Sequence, residues 1–419
     1  MNLTDLARSA APDAGMLASL AATHGTPFYL YDAEAVRQRI RAVREAFAGR
    51  AGVYYAVKAN PNLALLRAVR AAADGLDISS VGELEQGLAA GYPASAMSFA
   101  GPGKSTAELR RSVEVGVGAI SVESLRELDD CIAVARALGR RARIALRVNP
   151  VQVHRSFGLK MGGRALQFGI DEESLNEAAA RVAAAREHLE FQGVHVYAGS
   201  QCFEPAGVVE GLRDTLRIAT RLEEESGLRC CSINLGGGFG LSHGDARELD
   251  VAAVAAAVAA DLDAWLARLP ADRRVYFELG RYLTADAGIY VTRTISVKES
   301  RGKLFAVVDG GLHHHLAAAG TFGTALRSNF PLLNLSSPQA PVCRCSIAGP
   351  SCNPTDLLGI DVELPRPQVG DLIAVLKSGS YGFTASPLLF LGRPTPVELV
   401  RDGPEVVVGR RSRTMLDLN

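Results

Sequence analysis

Short apolar runs alternate with longer amphipathic segments from about residue 50, and this alternation restricts the possible folds more than any other feature of the chain. The apolar runs are Val53–Val57, Leu76–Ile78, Met97–Ala100, Ala119–Val122, Ile144–Val148, Phe191–Tyr197, Ile233–Leu235 and Val275–Leu279. The segments between them have apolar residues at the 3.6-residue period of an α-helix, as in Asn62–Ala73, Leu125–Leu138, Leu212–Glu225 and Val251–Leu269. Eight strands separated by helices predict a (β/α)₈ barrel.

After about residue 284 the pattern changes to that of a β domain. The β-rich runs there are Ile289–Val297, Leu304–Val308, Val342–Ile347, Leu372–Leu376, Val397–Val400 and Val406–Val408. Gly, Pro and Asp bound these runs, which predicts antiparallel strands joined by turns. The early run Thr26–Tyr31 precedes the barrel and is expected to pair with this domain. We therefore predict an α/β protein with a barrel at 35–283 and a β domain formed by 1–34 plus 284–419.

Lys58 ends the first predicted strand, just before Asn60-Pro61. A lysine within an apolar strand is costly unless it is neutral or covalently engaged. Desolvation is expected to lower the pKa of its amine, which favours Schiff-base chemistry. The alternative is a lysine whose amine reaches the rim of the barrel and has no chemical role.

Other polar groups follow the predicted strands at the end where barrels carry their active sites. The glycine run Gly236–Gly240 ends the seventh strand and is typical of a backbone loop that binds phosphate, although a tight turn has the same composition. Glu278 and Arg281 end the eighth strand. They are either functional groups in the mouth of the barrel or a structural ion pair. Further polar groups lie at Ser79–Glu83, Arg147–Pro150 and His195–Gln201. Together they predict a phosphate-bearing cofactor held as an imine.

From Thr26 to Leu391 the chain resembles the fold-type III pyridoxal-phosphate decarboxylases, which include diaminopimelate, ornithine and arginine decarboxylases. The motifs are Tyr-Ala-Val-Lys-Ala-Asn at 55–60, Gly-Gly-Gly-Phe at 236–239, Glu-x-Gly-Arg at 278–281, Val-Asp-Gly-Gly at 308–311, Gly-Pro-Ser-Cys at 349–352 and Gly-Ser-Tyr-Gly at 379–382. The resemblance implies a barrel of the alanine racemase type with a C-terminal antiparallel β domain. It also implies decarboxylation of an amino acid.

The resemblance assigns roles to individual residues. Lys58 is implied to bind pyridoxal 5'-phosphate covalently, and Glu278 to face the pyridine nitrogen. Cys352, from the second domain of a partner subunit, is implied to return a proton to the substrate, so the working unit is expected to be a homodimer with shared sites. The other implied cofactor contacts are Arg147, Tyr197, Ser200, Gly236, Gly237, Gly238, Gly280, Arg281 and Tyr381.

The chain departs from the family pattern at positions that concern the substrate. Tyr197 stands where the family usually has a histidine that stacks on the cofactor ring, and a tyrosine can also stack. Asn353 replaces the glutamate with which diaminopimelate decarboxylases help to hold the distal end of their substrate. We therefore predict a substrate other than free diaminopimelate, contacted by Asn353 and by Asp356, which could restore the missing charge. Tyr197 with Gly310–His315 resembles decarboxylases of biosynthetic clusters, some of which act on carrier-bound intermediates.

Three alternatives stay open at this stage. The chain could be a diaminopimelate decarboxylase itself. A racemase would need an acid or base, commonly a tyrosine, in place of the cysteine loop Gly349–Asp356. A non-catalytic regulator would not need Lys58, Glu278 and Cys352, so their presence argues against that class.

Composition restricts the partners and the compartment. Lys and Arg total 45, as do Asp and Glu, so no net charge attracts nucleic acid or an anionic membrane. No apolar stretch reaches the roughly 18 residues of a membrane span. Seven cysteines and a start without a signal-peptide pattern predict a cytoplasmic protein. Consecutive residues point in different directions, so His313–His315 are not expected to bind a metal.

Overall fold

The computed structural model describes residues 13–245, 247–268, 274–320 and 328–418. Eight parallel strands form a closed barrel, because Ala119–Val122 pairs with Met97–Phe99 on one side and with Ala142–Asn149 on the other. In chain order, the first to eighth barrel strands are Gly52–Ala56, Gly75–Ile78, Met97–Phe99, Ala119–Val122, Ala142–Asn149, Leu189–His195, Ser232–Asn234 and Arg274–Leu279. The prediction of an eight-stranded barrel is confirmed.

Helices follow most of the barrel strands, and capping residues mark where some of them begin and end. Ser105 and Glu108 form a capping box at one helix start, and Gly139 and Gly227 end two helices in the left-handed conformation. The helices are Ala14–His24, Ala33–Ala46, Leu63–Val69, Val81–Ala89, Thr106–Val115, Leu125–Leu138, Leu175–Ala184, Pro205–Ser226, Val251–Leu266 and Arg281–Thr284. The predicted helix end at residues 269 and 270, and the start of the chain up to residue 12, lie outside the described residues.

The second sheet belongs to the β domain. Its strands are Phe28–Asp32, Gly288–Ser300, Lys303–Val308, Leu332–Asn334, Val342–Ala348, Leu357–Pro365, Leu372–Val375, Val397–Asp402 and Glu405–Arg410. Strand Phe28–Asp32 lies between Gly288–Ser300 and Val397–Asp402, so the predicted pairing of the early strand with this domain is confirmed. The strands Leu332–Asn334 and Leu357–Pro365 were not predicted.

The β domain is mainly antiparallel, as predicted, and two of its strand pairs are parallel. Phe28–Asp32 runs parallel to Val397–Asp402, and Lys303–Val308 runs parallel to Val342–Ala348. Both pairs join strands that are far apart in the chain, where a long crossover permits the parallel direction. The other pairings in this sheet are antiparallel.

A continuous buried core joins the two parts of the molecule. It includes Tyr55 and Phe277 of the barrel as well as Tyr290 and Ile347 of the β domain. The domain boundaries at 35 and 283 stay a prediction, because helices Ala33–Ala46 and Arg281–Thr284 extend across them. In the described ranges, no helix is both long and apolar enough to span a bilayer.

Candidate active site

A cavity of about 490 Å³ lies at the C-terminal ends of the barrel strands, which is where barrels of this type carry their active sites. Most of the predicted cofactor contacts line it, namely Lys58, Arg147, Tyr197, Ser200, Gly238, Glu278, Gly280, Arg281 and Tyr381. Gly236 and Gly237 precede Gly238 in the same loop. These residues, from five barrel strand ends and from the β domain, converge on one space, as the sequence predicted.

Lys58 follows the first barrel strand, and its amine forms an ion pair with the carboxylate of Asp77 on the second strand. Asp77 is fully buried, whereas the Lys58 side chain is 40% exposed, toward the cavity. Burial opposes the charge of Lys58, but Asp77 and Glu278 raise the pKa of its amine above the ordinary value. The prediction of a lowered pKa for Lys58 is therefore wrong, because the sequence does not reveal charges that neighbouring strands bring together.

Glu278 ends the eighth strand and is held by polar side chains of two other strands. Asn234 donates a hydrogen bond of 2.8 Å to Glu278 Oε2, and His195 Nε2 lies 3.3 Å from the same oxygen. Burial opposes the charge of Glu278, yet His195, Lys58 and Arg147 lower the pKa of its carboxyl to about 2. Glu278 is therefore a fixed negative charge at the floor of the cavity.

The glycine loop after the seventh strand requires its glycines for close packing. Gly236 and Gly238 have φ values of 69° and 83°, which other residues rarely adopt. A Cβ atom would lie 2.4 Å from a backbone oxygen at Gly236, 2.2 Å at Gly237 and 2.0 Å at Gly238. Asn234 Oδ1 accepts a hydrogen bond from the N–H of Gly236, so this amide is already used within the protein. The loop brings bare backbone to the cavity wall.

Arg281 and Tyr381 form the side of the cavity next to the glycine loop. The Arg281 guanidinium lies 4.9 Å from the centre of the Tyr381 ring and contacts the ring of His243. Tyr381 belongs to the β domain, and its backbone N–H donates to the carbonyl of Ala59, one residue after Lys58. The second domain therefore contributes to the site within a single chain. Burial lowers the pKa of Arg281 from its ordinary value.

Arg147 is fixed by a residue that the sequence analysis did not select. Glu123 accepts a hydrogen bond of 2.7 Å from Arg147 Nη1, and both side chains are buried. Glu123 also accepts from the N–H groups of Gly101 and Gly169. The guanidinium of Arg147 lies 5.1 Å from the centre of the Phe168 ring. Arg147 is thus a rigid cation in the cavity wall.

The predicted residues of the second-domain loop do not line this cavity. Cys352 is exposed and Asn353 is half-buried, and Asn353 Oδ1 accepts from both the N–H and the hydroxyl of Thr355. Asp356 is 2% exposed and accepts from the N–H groups of Leu312 and Ser351. The expectation that Asp356 contacts the substrate is therefore corrected, since its carboxylate is enclosed and stabilises the loop.

Comparison with known proteins identifies the family to which this site belongs. Residues 33–285 match the family described as "Pyridoxal-dependent decarboxylase, pyridoxal binding domain". The chain belongs to the pyridoxal-dependent decarboxylases. It is accordingly a lyase that uses pyridoxal 5'-phosphate to decarboxylate an amino acid or an amino-acid-derived compound, as the sequence predicted.

Relatives align with the decarboxylase over almost its entire length. A protein of Niallia circulans, L-glutamyl-[BtrI acyl-carrier protein] decarboxylase, is 36% identical, with 97% of this chain and 96% of the relative covered. The diaminopimelate decarboxylase of Pseudomonas aeruginosa is 33% identical, with 96% and 94% covered. The crystal structure of diaminopimelate decarboxylase from Helicobacter pylori complexed with L-lysine has a TM-score of 0.84 and 29% identity, with 96% and 98% covered.

The cavity of the decarboxylase fits the cofactor of its family. Its volume lies within the range of small-molecule sites. The side chain of Lys58 reaches it, and Glu278 supplies a buried carboxylate suited to a protonated ring nitrogen. The bare backbone of the glycine loop, with Arg281 beside it, suits a phosphate group. In the described ranges, no cluster of three His, Cys, Asp or Glu side chains has the geometry of a metal site.

Sequence reasoning missed three residues that support the site. Asp77 pairs with Lys58, Asn234 binds both Glu278 and the glycine loop, and Glu123 fixes Arg147. Asp77 and Asn234 are polar residues inside apolar strands, the same signal that identified Lys58. His195, named only as part of a motif, is fully buried between Ser121 and Glu278.

Proposed function

We propose that this decarboxylase acts on an amino acid whose distal end is neutral or acidic, or is joined to a carrier, and not on free diaminopimelate. Asn353 carries the argument, because a side-chain amide offers no charge to a distal ammonium group. Asp356 is the nearest carboxylate in that loop, and two backbone amides already occupy its oxygens. The similarity to a decarboxylase of a carrier-bound glutamyl group supports the tethered form of the substrate.

The residues of the cavity divide the work of such a reaction. Pyridoxal phosphate, when bound, supplies the electron sink into which the electrons of the cleaved bond flow. Lys58 would anchor the cofactor, Glu278 would keep its ring nitrogen protonated, and Tyr197 would stack on the ring. Ser200, the glycine loop, Arg281 and Tyr381 would hold the phosphate. Cys352 Sγ would donate a proton to the carbon that lost carbon dioxide.

We expect Asn353→Glu to shift specificity toward diaminopimelate. A charge-assisted contact is worth roughly 1.5–3 kcal/mol, or about 10- to 150-fold in kcat/KM at tenfold per 1.4 kcal/mol. Steady-state carbon dioxide release is measured with free meso-diaminopimelate, free L-glutamate and L-glutamate loaded on the BtrI acyl-carrier protein. The control is Asn353→Gln, which lengthens the side chain without adding charge.

The wild-type enzyme is expected to turn over diaminopimelate more slowly than at least one of the other two substrates. The substrate proposal is wrong if diaminopimelate is its best substrate. The assignment of Asn353 fails if Asn353→Glu and Asn353→Gln have the same specificity.

We infer that the working unit is a homodimer in which each site takes Cys352 from the partner subunit. In one chain Cys352 is exposed and does not line the cavity. Cys352 can therefore donate a proton in this cavity only if it is supplied by another subunit.

The seven free thiols support a reducing compartment, and we propose that the protein works in the cytoplasm.

Mixing two inactive variants tests the shared site. Subunits of Lys58→Ala and of Cys352→Ala should each have little activity, but a mixed dimer would contain one intact site. Random pairing of equal amounts restores up to about a quarter of the wild-type sites. Activity is measured after exchange is verified by mass spectrometry, with two batches of Lys58→Ala mixed as the control. Verified mixed dimers without activity would refute sharing.

A further inference from the structure

One wall of the cavity is formed by a loop with an unusual charge, residues 151–169, here called the rim loop. It contains Arg155, Lys160 and Arg164 and no Asp or Glu, although acidic and basic residues balance in the chain as a whole. Its strand Phe157–Lys160 pairs with Gly199–Cys202, which carries Ser200. The positive charge therefore lies on a loop that borders the active site through Leu159, Met161 and Phe168.

The rim loop has a defined conformation fixed by buried side chains. Asn149 Oδ1 accepts from the N–H of Gly163, and Asn149 Nδ2 donates to the carbonyl of Arg164, both at 3.0 Å. Glu123, which holds Arg147, also accepts from the N–H of Gly169 at the end of the loop. The loop is thus attached to the same residues that shape the cavity.

Among the residues that the structure describes, no acidic side chain pairs with Arg155, Lys160 or Arg164 of the rim loop. Within the described ranges, the closest ionic contact of the rim loop joins His154 to Glu210 at 3.8 Å. Arg155 and Arg164 are exposed, and the amine of Lys160 contacts only the carbonyl of Val153 at 3.4 Å among described residues. Uncompensated charges at the mouth of a cleft attract ligands of opposite sign.

Apolar groups accompany these charges. Leu159 and Met161 line the cavity, and the side chain of Leu159 is also 52% exposed at its edge. Val151, at the start of the loop, is 52% exposed as well. A protein partner can cover such residues, whereas a small anion cannot.

We propose that the rim loop docks the acidic face of the carrier protein that presents the tethered substrate. This inference rests on the proposed function. Arg155, Lys160 and Arg164 would contact carboxylates around the attachment point of the tether, and Leu159 would border the path by which the tethered group enters. The loop would recognise the carrier and not the amino acid.

The test compares a triple variant with a charge-matched control in the cofactor-loaded enzyme. The variant is Arg155→Gln, Lys160→Gln, Arg164→Gln. The control is Arg110→Gln, Arg186→Gln, Arg229→Gln, three exposed arginines that do not line the cavity. Both lose three positive charges. Each enzyme is assayed with L-glutamate on the BtrI acyl-carrier protein and with the pantetheine thioester of L-glutamate. Binding of the carrier is measured by fluorescence anisotropy.

With carrier-bound substrate, we expect kcat/KM of the rim-loop variant to fall by at least about 10-fold relative to the control, and carrier Kd to rise in parallel. With the pantetheine thioester, the kcat/KM values of the two variants should agree within about twofold. Binding of the carrier by the wild-type enzyme should weaken as the NaCl concentration is raised from about 50 to about 300 mM.

Two results would overturn the docking surface while leaving the substrate class intact. One is an equal loss of kcat/KM for the carrier-bound substrate in both triple variants. The other is turnover of the pantetheine thioester without turnover of the carrier-bound substrate. Failure of the wild-type enzyme on both thioesters would refute the tethered substrate and the docking surface together, whereas the wider substrate proposal fails only if diaminopimelate is the best substrate.

Discussion

Lys58→Ala is expected to lower kcat/KM by at least about 10³-fold, within the range typical for loss of a group that acts directly on the reacting centre. The amine of Lys58 reaches the cavity and is held there by Asp77. Its replacement would remove the proposed covalent anchor of the cofactor and leave the fully buried carboxylate of Asp77 without its cation. The variant should therefore also bind pyridoxal phosphate more weakly.

Borohydride reduction followed by peptide mapping locates the covalent bond. The wild-type protein should be yellow, and after reduction the mass of the cofactor should be found on the peptide with Lys58. Lys104 is an internal control, since it also lines the cavity but its amine is paired with Glu127 at 2.7 Å. Cofactor trapped on Lys104, or on any other lysine, would overturn the assignment of Lys58.

Glu278→Gln should lower kcat/KM by about 10²–10³-fold, the usual effect of removing one preorganised charged or polar group from a catalytic site. The amide keeps the size of the side chain but removes the negative charge that lies near Lys58 and beside the His195 ring. Without this charge the cofactor ring would lose its proton and become a weaker electron sink. The absorbance spectrum of the bound cofactor should change along with the rate.

Glu398→Gln is the matched control for Glu278→Gln. Glu398 is a buried carboxylate of the β domain that accepts hydrogen bonds from Tyr31, Asn62 and Arg410, and it does not line the cavity. Its replacement should lower thermal stability and leave the cofactor spectrum unchanged. If Glu278→Gln retains activity within about tenfold of the wild type, the carboxylate of Glu278 is not needed to protonate the ring.

The barrel could be predicted from the sequence because buried parallel strands are short, nearly continuous apolar runs. The strand Leu357–Pro365 was missed because Asp361 and Glu363 interrupt its apolar residues and only four of its nine residues are buried. The parallel pairing of Phe28–Asp32 with Val397–Asp402 could not be predicted, because no local pattern specifies which distant strand a segment will join.

The cavity-lining residues that could be selected from the sequence are those that carry a signal by themselves. Lys58 and Glu278 are charged residues at the ends of apolar strands, and the glycine loop has a composition of its own. Properties that depend on two strands were missed. The pKa of Lys58 follows from Asp77 and Glu278, which lie 19 and 220 residues farther along the chain, and the enclosure of Asp356 follows from the fold of its loop.

The position of strand Phe28–Asp32 in the second sheet has a consequence for biosynthesis. One neighbour of this strand, Val397–Asp402, is synthesised much later, because the paired residues Phe28 and Val397 are 369 positions apart in the chain. At ribosomal speeds of roughly 5–20 residues per second, the interval is on the order of tens of seconds. During that time the nascent barrel can fold while the early strand still lacks its partner. The sheet therefore closes only after the whole barrel has been synthesised, and Tyr381, which lines the cavity from the β domain, also reaches the site after the barrel strands.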